Sequence, residues 1–223
     1  MATLNSTKSL RLPGTPLALA LMIVLSVMIG LHALGFQLRL SGDPMFHQRF
    51  DEMPIFSSMH VIGGAIVLLV GGFQFWGGLR NRFPAIHRNL GRLYLTFVLI
   101  GGIGGLMLAP YSAGGLVAHT GFGLLAIVWL FSGWQAWAAI RARDIASHRA
   151  WMMRNFSLAF GAVSLRVYLG VLTAGFNLPF SEVYPMVAWA SWVPNLILVE
   201  WYLAMNPRLW QRANAHGDGL ERV

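Results

Sequence analysis

The sequence predicts an all-α membrane protein of six transmembrane helices, with helices 2–5 forming a four-helix core bundle. Three observations lead to this. Of 223 residues, 56% are hydrophobic and only 11% charged, against roughly 25% charged in soluble domains. The apolar residues gather into runs close to the ~20 residues that span a bilayer. The arginines that interrupt those runs fall almost entirely on alternate connections, as the positive-inside rule requires.

Span 1 is Pro16 to Phe36. Lys8 and Arg11 precede it in the manner of a secretory signal, but the run is longer than a signal's apolar core and reads as an uncleaved helix. Ser41 to Pro54 carries Asp43, His47, Arg49, Asp51 and Glu52 and reads as a short polar loop. Span 2 is Ile55 to Leu79, span 3 opens at Pro84 and ends near Pro110, and span 4 is Val117 to Ile140. Span 5 runs from about Ile145 to Phe176, and span 6 from Pro185 to Met205. The expected organisation is a cytoplasmic tail (1–15), a transmembrane domain (16–206) and a second cytoplasmic tail (207–223).

The charges orient these spans. Lys8, Arg11, Arg80, Arg82, Arg88, Arg92, Arg141, Arg143, Arg149, Arg154, Arg208, Arg212 and Arg222 fall on one side. Only Arg39 and Arg49 fall on the other, and Arg166 lies inside span 5. Both termini are therefore expected in the cytoplasm. The net charge of +8 follows from this topology and does not point to nucleic acid. The absence of cysteine excludes disulfides, thiolate metal sites, iron–sulfur clusters and covalent c-type haem. It leaves room for non-covalent b-type haem held by histidine.

Four histidines, His60, His87, His119 and His148, each stand near the start of one of spans 2 to 5. Successive spans run in opposite directions, so His60 is expected level with His119 near the outer face, and His87 with His148 near the inner face. Two such pairs are what up to two stacked bis-histidine b haems require. Gly101, Gly102, Gly104 and Gly105, and on the inner side Gly71, Gly72, Gly77, Gly78 and Gly133, offer space for a flat macrocycle. Glycine is also enriched wherever membrane helices pack closely. Arg88, Arg92, Arg149 and Arg154 are candidates for haem propionates. His32, His47 and His216 receive no role.

Other polar groups lie within the spans. By depth, Glu200 is expected to pair with Arg154, and Arg166 to lie in the outer half near His60 or the outer loops, with Asn195 a further candidate partner in span 6. Gln74 and Gln135 are expected to make interhelical hydrogen bonds. Trp76, Trp134, Trp137, Trp151, Trp189, Trp192 and Trp210 read as interfacial anchors. Gly-Gly-Ile-Gly-Gly at 101–105 lies inside a span, the wrong context for a phosphate loop.

From Met59 to Glu200 the chain resembles a family of bacterial predicted membrane proteins of unknown function. The resemblance rests on His60 with Gly63-Gly64, Gly-Gly-Phe-Gln-Phe at 71–75, His87-Arg88, Gly91-Arg92 and Tyr94. It continues through His148-Arg149, Trp151-Met152, Arg154-Asn155, Ser164-Leu165-Arg166, and Trp192-Val193-Pro194-Asn195 with Glu200. It implies the cytoplasmic membrane of a bacterium. The four-histidine plan is also similar in architecture to di-haem transmembrane b cytochromes of the ascorbate and ferric reductase type. In that class the second and fourth helices share one haem and the third and fifth the other.

The leading functional expectation is transmembrane electron transfer through b-type haem, from a quinol or another small donor, as a haem-dependent oxidoreductase. The lipid bilayer is an expected partner. The alternatives are a non-redox small-solute or proton pathway built on Glu200, Arg154, Arg166 and Asn195, and a structural or assembly subunit. Against a pathway, the sequence displays no paired short or broken helices of the transporter kind.

Overall fold

The computed structural model describes residues 15–42 and 44–206. Asp43 and the two tails, with Lys8, Arg11, Arg208, Trp210, Arg212, His216 and Arg222, lie outside the described residues. Among the described residues the chain is helical throughout and contains no strand. Five helical runs are long and apolar enough to cross a membrane: Pro16–Gln37, Pro54–Phe75, Pro84–Tyr111, Gly115–Arg141 and Ile145–Gly175.

The helix α1 (Thr15–Gln37) buries Ser26 and Ala33 and exposes Leu17, Leu21, Val24, Met28 and Leu31. A helix that apolar on its exposed face is matched to lipid. It packs on α3 (Pro54–Gly71), where Gly30 faces Leu69 and the Ala65 carbonyl. Between them the predicted polar loop is in fact a short helix, α2 (Pro44–Asp51). It is docked by the stacked rings of Phe36 and His47, 4.1 Å apart, by an Arg39–Asp51 ion pair, and by Ser57 Oγ donating to the Phe50 carbonyl at 2.9 Å.

The run that begins with α3 ends earlier than expected. It tightens into a 3₁₀ turn at Gly72–Phe75; Trp76 is extended, and a separate short helix, α4 (Gly77–Arg82), follows. Next come α5 (Pro84–Leu108) and α6 (Gly115–Arg141). Gly114 between them has φ +93°, a left-handed conformation that glycine adopts without strain. Asp144 caps α7 (Ile145–Ala159), accepting from the Ser147 amide at 3.0 Å.

Glycine brings α3 and α5 together. A Cβ on Gly104 would stand 2.6 Å from the Phe56 carbonyl oxygen and 2.7 Å from the His60 amide nitrogen, and one on Gly63 would stand 2.7 Å from the Gly101 Cα. These neighbours are backbone and have nowhere to go. Gly104→Ala is therefore expected to destabilise the protein by about 1–3 kcal/mol. Gly64→Ala, where a Cβ meets nothing within 4 Å, is expected to stay within about 0.5 kcal/mol of wild type. Thermal unfolding of the two variants in one detergent separates them.

The expected fifth span is one run, Ile145–Gly175, with a local irregularity at Phe160, whereas the expected sixth span is divided. Within the fifth, α7 gives way at Phe160 to α8 (Gly161–Leu169), which widens into a π turn at Gly170–Gly175. The segment expected as span 6 is two helices, α9 (Phe180–Ala190) and α10 (Val193–Met205). Pro194 accounts for this break, because it removes an amide donor and its ring conflicts with the carbonyl one turn earlier. The break and the irregularity face each other: a Cβ on Gly161 would lie 3.3 Å from the Ser191 carbonyl and 3.2 Å from Trp192 Cβ.

Asn195 stitches the two together. Its Nδ2 lies 3.0 Å from the Ser191 carbonyl and from Ser164 Oγ and 3.3 Å from the Ser157 carbonyl, three acceptors shared by two N–H groups, and its Oδ1 accepts from Ser164 Oγ at 3.2 Å. Carbonyls released where a helix is interrupted must find donors in an apolar medium, and one amide serves both places. The expected sixth span is thus broken at Pro194, and Asn195 joins that break to the irregularity at Phe160 in the fifth.

Candidate functional site

The middle of the bundle is a dry layer. Val67 from α3, Tyr94 and Val98 from α5, Trp129 from α6, and Phe156, Leu158 and Ala159 from α7 form one buried cluster with Trp192. Trp192 is therefore a core residue and not an interfacial anchor, whereas Trp76, Trp134 and Trp137 are exposed as anchors should be.

Asn155 ties the layer together. It accepts from Tyr94 Oη at 2.7 Å and donates at 2.8 Å to both the Trp129 carbonyl and Ser132 Oγ. Three helices thus meet at one fully buried amide. The sequence offered a signal for this, an asparagine inside an apolar span, but its partners are not sequence neighbours.

On the side of this layer that the arginines predict to be inner stands a pair of histidines, and the region between them is termed the inner chamber. Along α5, His87, Gly91, Tyr94 and Val98 recur at helical spacing; along α7, His148, Met152, Phe156 and Ala159 do the same. The upper members of both stripes belong to the core cluster or pack against it, so the lower members face the same interior space. His87 and His148 lie within electrostatic reach of one another. His148 Nδ1 contacts the Ala136 carbonyl at 2.8 Å. A carbonyl only accepts, so Nδ1 carries the hydrogen and the neutral ring leaves Nε2 as a free lone pair. His87 Nδ1 and Gln74 Nε2 are buried without hydrogen-bond partners, so Gln74 does not make the expected interhelical bond. Arg80 and Arg88 act electrostatically on His87, and Arg149 on His148.

Above the layer, α3 presents His60 and Gly64 on the stripe that continues to Val67 and Gly71. Gly71 is packed against Phe156 and Tyr94, but Gly64 meets nothing within 4 Å. His60 is exposed, and its ring lies against Gly105 of α5. Its Nδ1 contacts the Gly101 carbonyl at 3.1 Å, which again leaves Nε2 free. Arg166 lies within electrostatic reach, as its depth in span 5 predicted. An apolar furrow lined by Ile55, Met59, Ile62 and Phe97 runs along the opposite face of α3. It belongs to the lipid-facing surface.

The outer histidine pair is not level. His119 Nε2 contacts the Ser112 carbonyl at 3.0 Å, whereas His60 is anchored on Gly101. The His60 ring lies against Gly105, within α5, whereas Ser112 follows the turn that ends that helix. The depth argument failed because His119 starts its helix above the end of α5, while His60 lies well inside α3.

Most of the glycines expected to make room for a macrocycle are filled. Gly71 faces Phe156 at 2.5 Å, Gly102 faces Leu130 at 2.6 Å, and Gly133 faces Val98 at 3.0 Å. Close packing is their role; Gly64 and Gly91 border open space instead.

The expected Arg154–Glu200 pair forms. It is bidentate, at 2.5 and 2.8 Å, with the Arg154 guanidinium over the Trp151 ring. Arg154 is thereby committed and is not available to a propionate. Because the Glu200 side chain is 48% exposed, Glu200→Gln is expected to cost about 1 kcal/mol or less, read as a small shift in thermal midpoint.

No curated protein and no solved structure matches this chain. Residues 57–203, which include His60, His87, His119 and His148, match the model of a family described as a predicted membrane protein, DUF2306, and the chain belongs to that family.

Proposed function

We propose that the inner chamber binds one b-type haem between His87 and His148, and that the protein carries electrons in the cytoplasmic membrane of a bacterium. The observation that carries this reading is the His148 Nδ1–Ala136 bond, which turns a free Nε2 toward a space bordered by the unpartnered His87. A backbone carbonyl on one ring nitrogen is the usual support of a histidine that ligates through the other. Arg80, Arg88 and Arg149 are the cations suited to propionates. When bound, the haem supplies one-electron transfer. His87 and His148 hold its iron, and the layer around Asn155 keeps water from crossing the bundle. A second haem on His60 and His119 does not fit, because His119 is committed to Ser112 and lies at a different depth.

The same reading takes α9 and α10 as one kinked sixth span, α3, α5, α6 and α7 as the core bundle, and both termini as cytoplasmic, following the arginine distribution. A quinol is the donor class suited to an electron carrier within the lipid. The test is the reduced-minus-oxidised absorbance spectrum of protein purified from haem-replete cells. Bands of low-spin b-type haem are expected; a colourless preparation removes the proposal.

One observation favours a second reading. A broken span, here bridged to its neighbour by Asn195, is a feature of membrane pathways for solutes or protons. That reading predicts that Asn195→Ala changes flux of a solute or protons in proteoliposomes while leaving any spectrum intact.

A further inference from the structure

Two buried polar atoms without partners, His87 Nδ1 and Gln74 Nε2, belong to one corner of the bundle. Gln74 is 8% exposed. It stands in the 3₁₀ turn Gly72–Phe75, whose residues face different helices. A Cβ on Gly72 would lie 3.1 Å from Ile23 Cγ1 of α1, and the Phe75 ring lies 5.2 Å from the Phe156 ring of α7. Gln74 faces α5: its Oε1 is what a Cβ on Gly91 would meet, at 3.9 Å. Gly91 is four positions beyond His87, and residues so spaced on a helix are neighbours, their Cβ positions about 5–6 Å apart. The carbonyl end of the amide therefore lies over the stripe of α5 that carries His87, one turn along.

A buried amide that leaves its N–H unused forfeits hydration without return, and a methionine would fill the same volume. The bundle itself thus gives no reason for an amide here. The neighbouring histidine does. A histidine that ligates through Nε2 carries its hydrogen on Nδ1, and that N–H needs an acceptor to fix the ring. His148 has one in the Ala136 carbonyl, 2.8 Å from its Nδ1. His87 Nδ1 has none among the described residues, and Gln74 Oε1 is the acceptor that the 3₁₀ turn brings to its stripe.

We infer that Gln74 is a positioning residue of the inner chamber: when His87 ligates through Nε2, its Nδ1–H donates to Gln74 Oε1. The inference rests on the haem reading above. It makes the two ligands unlike. His148 is fixed in advance by main chain, whereas His87 is fixed by a side chain that engages only when the site is filled.

The experiment compares the full-length wild type with Gln74→Met and Gln74→Glu, each purified haem-free from haem-deficient cells. Thermal unfolding of the haem-free proteins is read first, then ferric haem is titrated in and the reduction midpoint of the loaded proteins is measured. Gln74→Met is expected to leave the haem-free thermal midpoint unchanged or higher, because it removes an unsatisfied donor and no bond. Its affinity for haem is expected to fall about tenfold, as for loss of a partner behind a ligand. Its reduction midpoint is expected to rise, because an imidazole without an acceptor on Nδ1 is a weaker donor to ferric iron. Gln74→Glu, which keeps an acceptor oxygen, is expected to restore most of the affinity and to bring the midpoint back to the wild-type value or below it. Gln37→Met, which loses its bond to Ser58 at the other end of the bundle, is expected to bind haem as the wild type does. If Gln74→Met binds haem as the wild type does, or fails to fold, or loses haem-free stability, the positioning role is overturned and the haem reading stands. If the wild type itself takes up no haem, both fall.

Discussion

Asn155→Leu is expected to lower the stability of the protein by about 2–4 kcal/mol, the largest effect of any single core substitution considered. Interhelical hydrogen bonds in membranes average about 0.6 kcal/mol and reach about 1.7. Three are lost together here, from Tyr94, Trp129 and Ser132. Tyr94 is fully buried, so its hydroxyl has no water to turn to. The cost therefore includes an orphaned donor as well as missing bonds. Tyr94→Phe in the same background removes that orphan. The double variant is accordingly expected to be more stable than Asn155→Leu alone, a sign that independent additive effects cannot produce. Thermal midpoints of the four proteins of this cycle check it.

The second large effect is expected at the inner chamber. His148→Ala should abolish haem binding, because it removes a ligand whose orientation is set in advance by the Ala136 carbonyl. Its effect on folding is small by comparison: one carbonyl loses one donor, about 1 kcal/mol. His87→Ala should behave alike for haem and cost less stability, since His87 Nδ1 has no partner to lose. His119→Ala should retain haem. Loss of the Soret band in the first two, with a thermal midpoint near wild type, distinguishes ligation from unfolding.

Much of this arrangement was legible in the sequence, and the parts that were not share a physical cause. Span length depends on transfer to lipid, a property of composition, and it located the five long apolar runs. The Arg154–Glu200 pair and the proximity of Arg166 to His60 followed from helical rise alone. Depth arithmetic failed for His119, because it treats each helix as starting at the same plane and α6 starts above the end of α5. Glycine was ambiguous in the sequence, since space for a cofactor and space for a neighbouring backbone ask for the same residue. Gly63 and Gly104 turned out to serve the second. Span 6 reads in the sequence as one run, although Pro194 breaks it, and the irregularity at Phe160 has no proline. It becomes visible only once Asn195 is seen to take the Ser157 carbonyl.

The proposed function keeps one of the two expected cofactor sites, the one at His87 and His148 among arginines. The most direct test is the ratio of haem to polypeptide in purified protein, measured as the pyridine haemochrome against quantitative amino-acid analysis. A ratio approaching one per chain, unchanged by His119→Ala, is the predicted result. A ratio of zero, or a ratio near two that falls to one in His119→Ala, would contradict it.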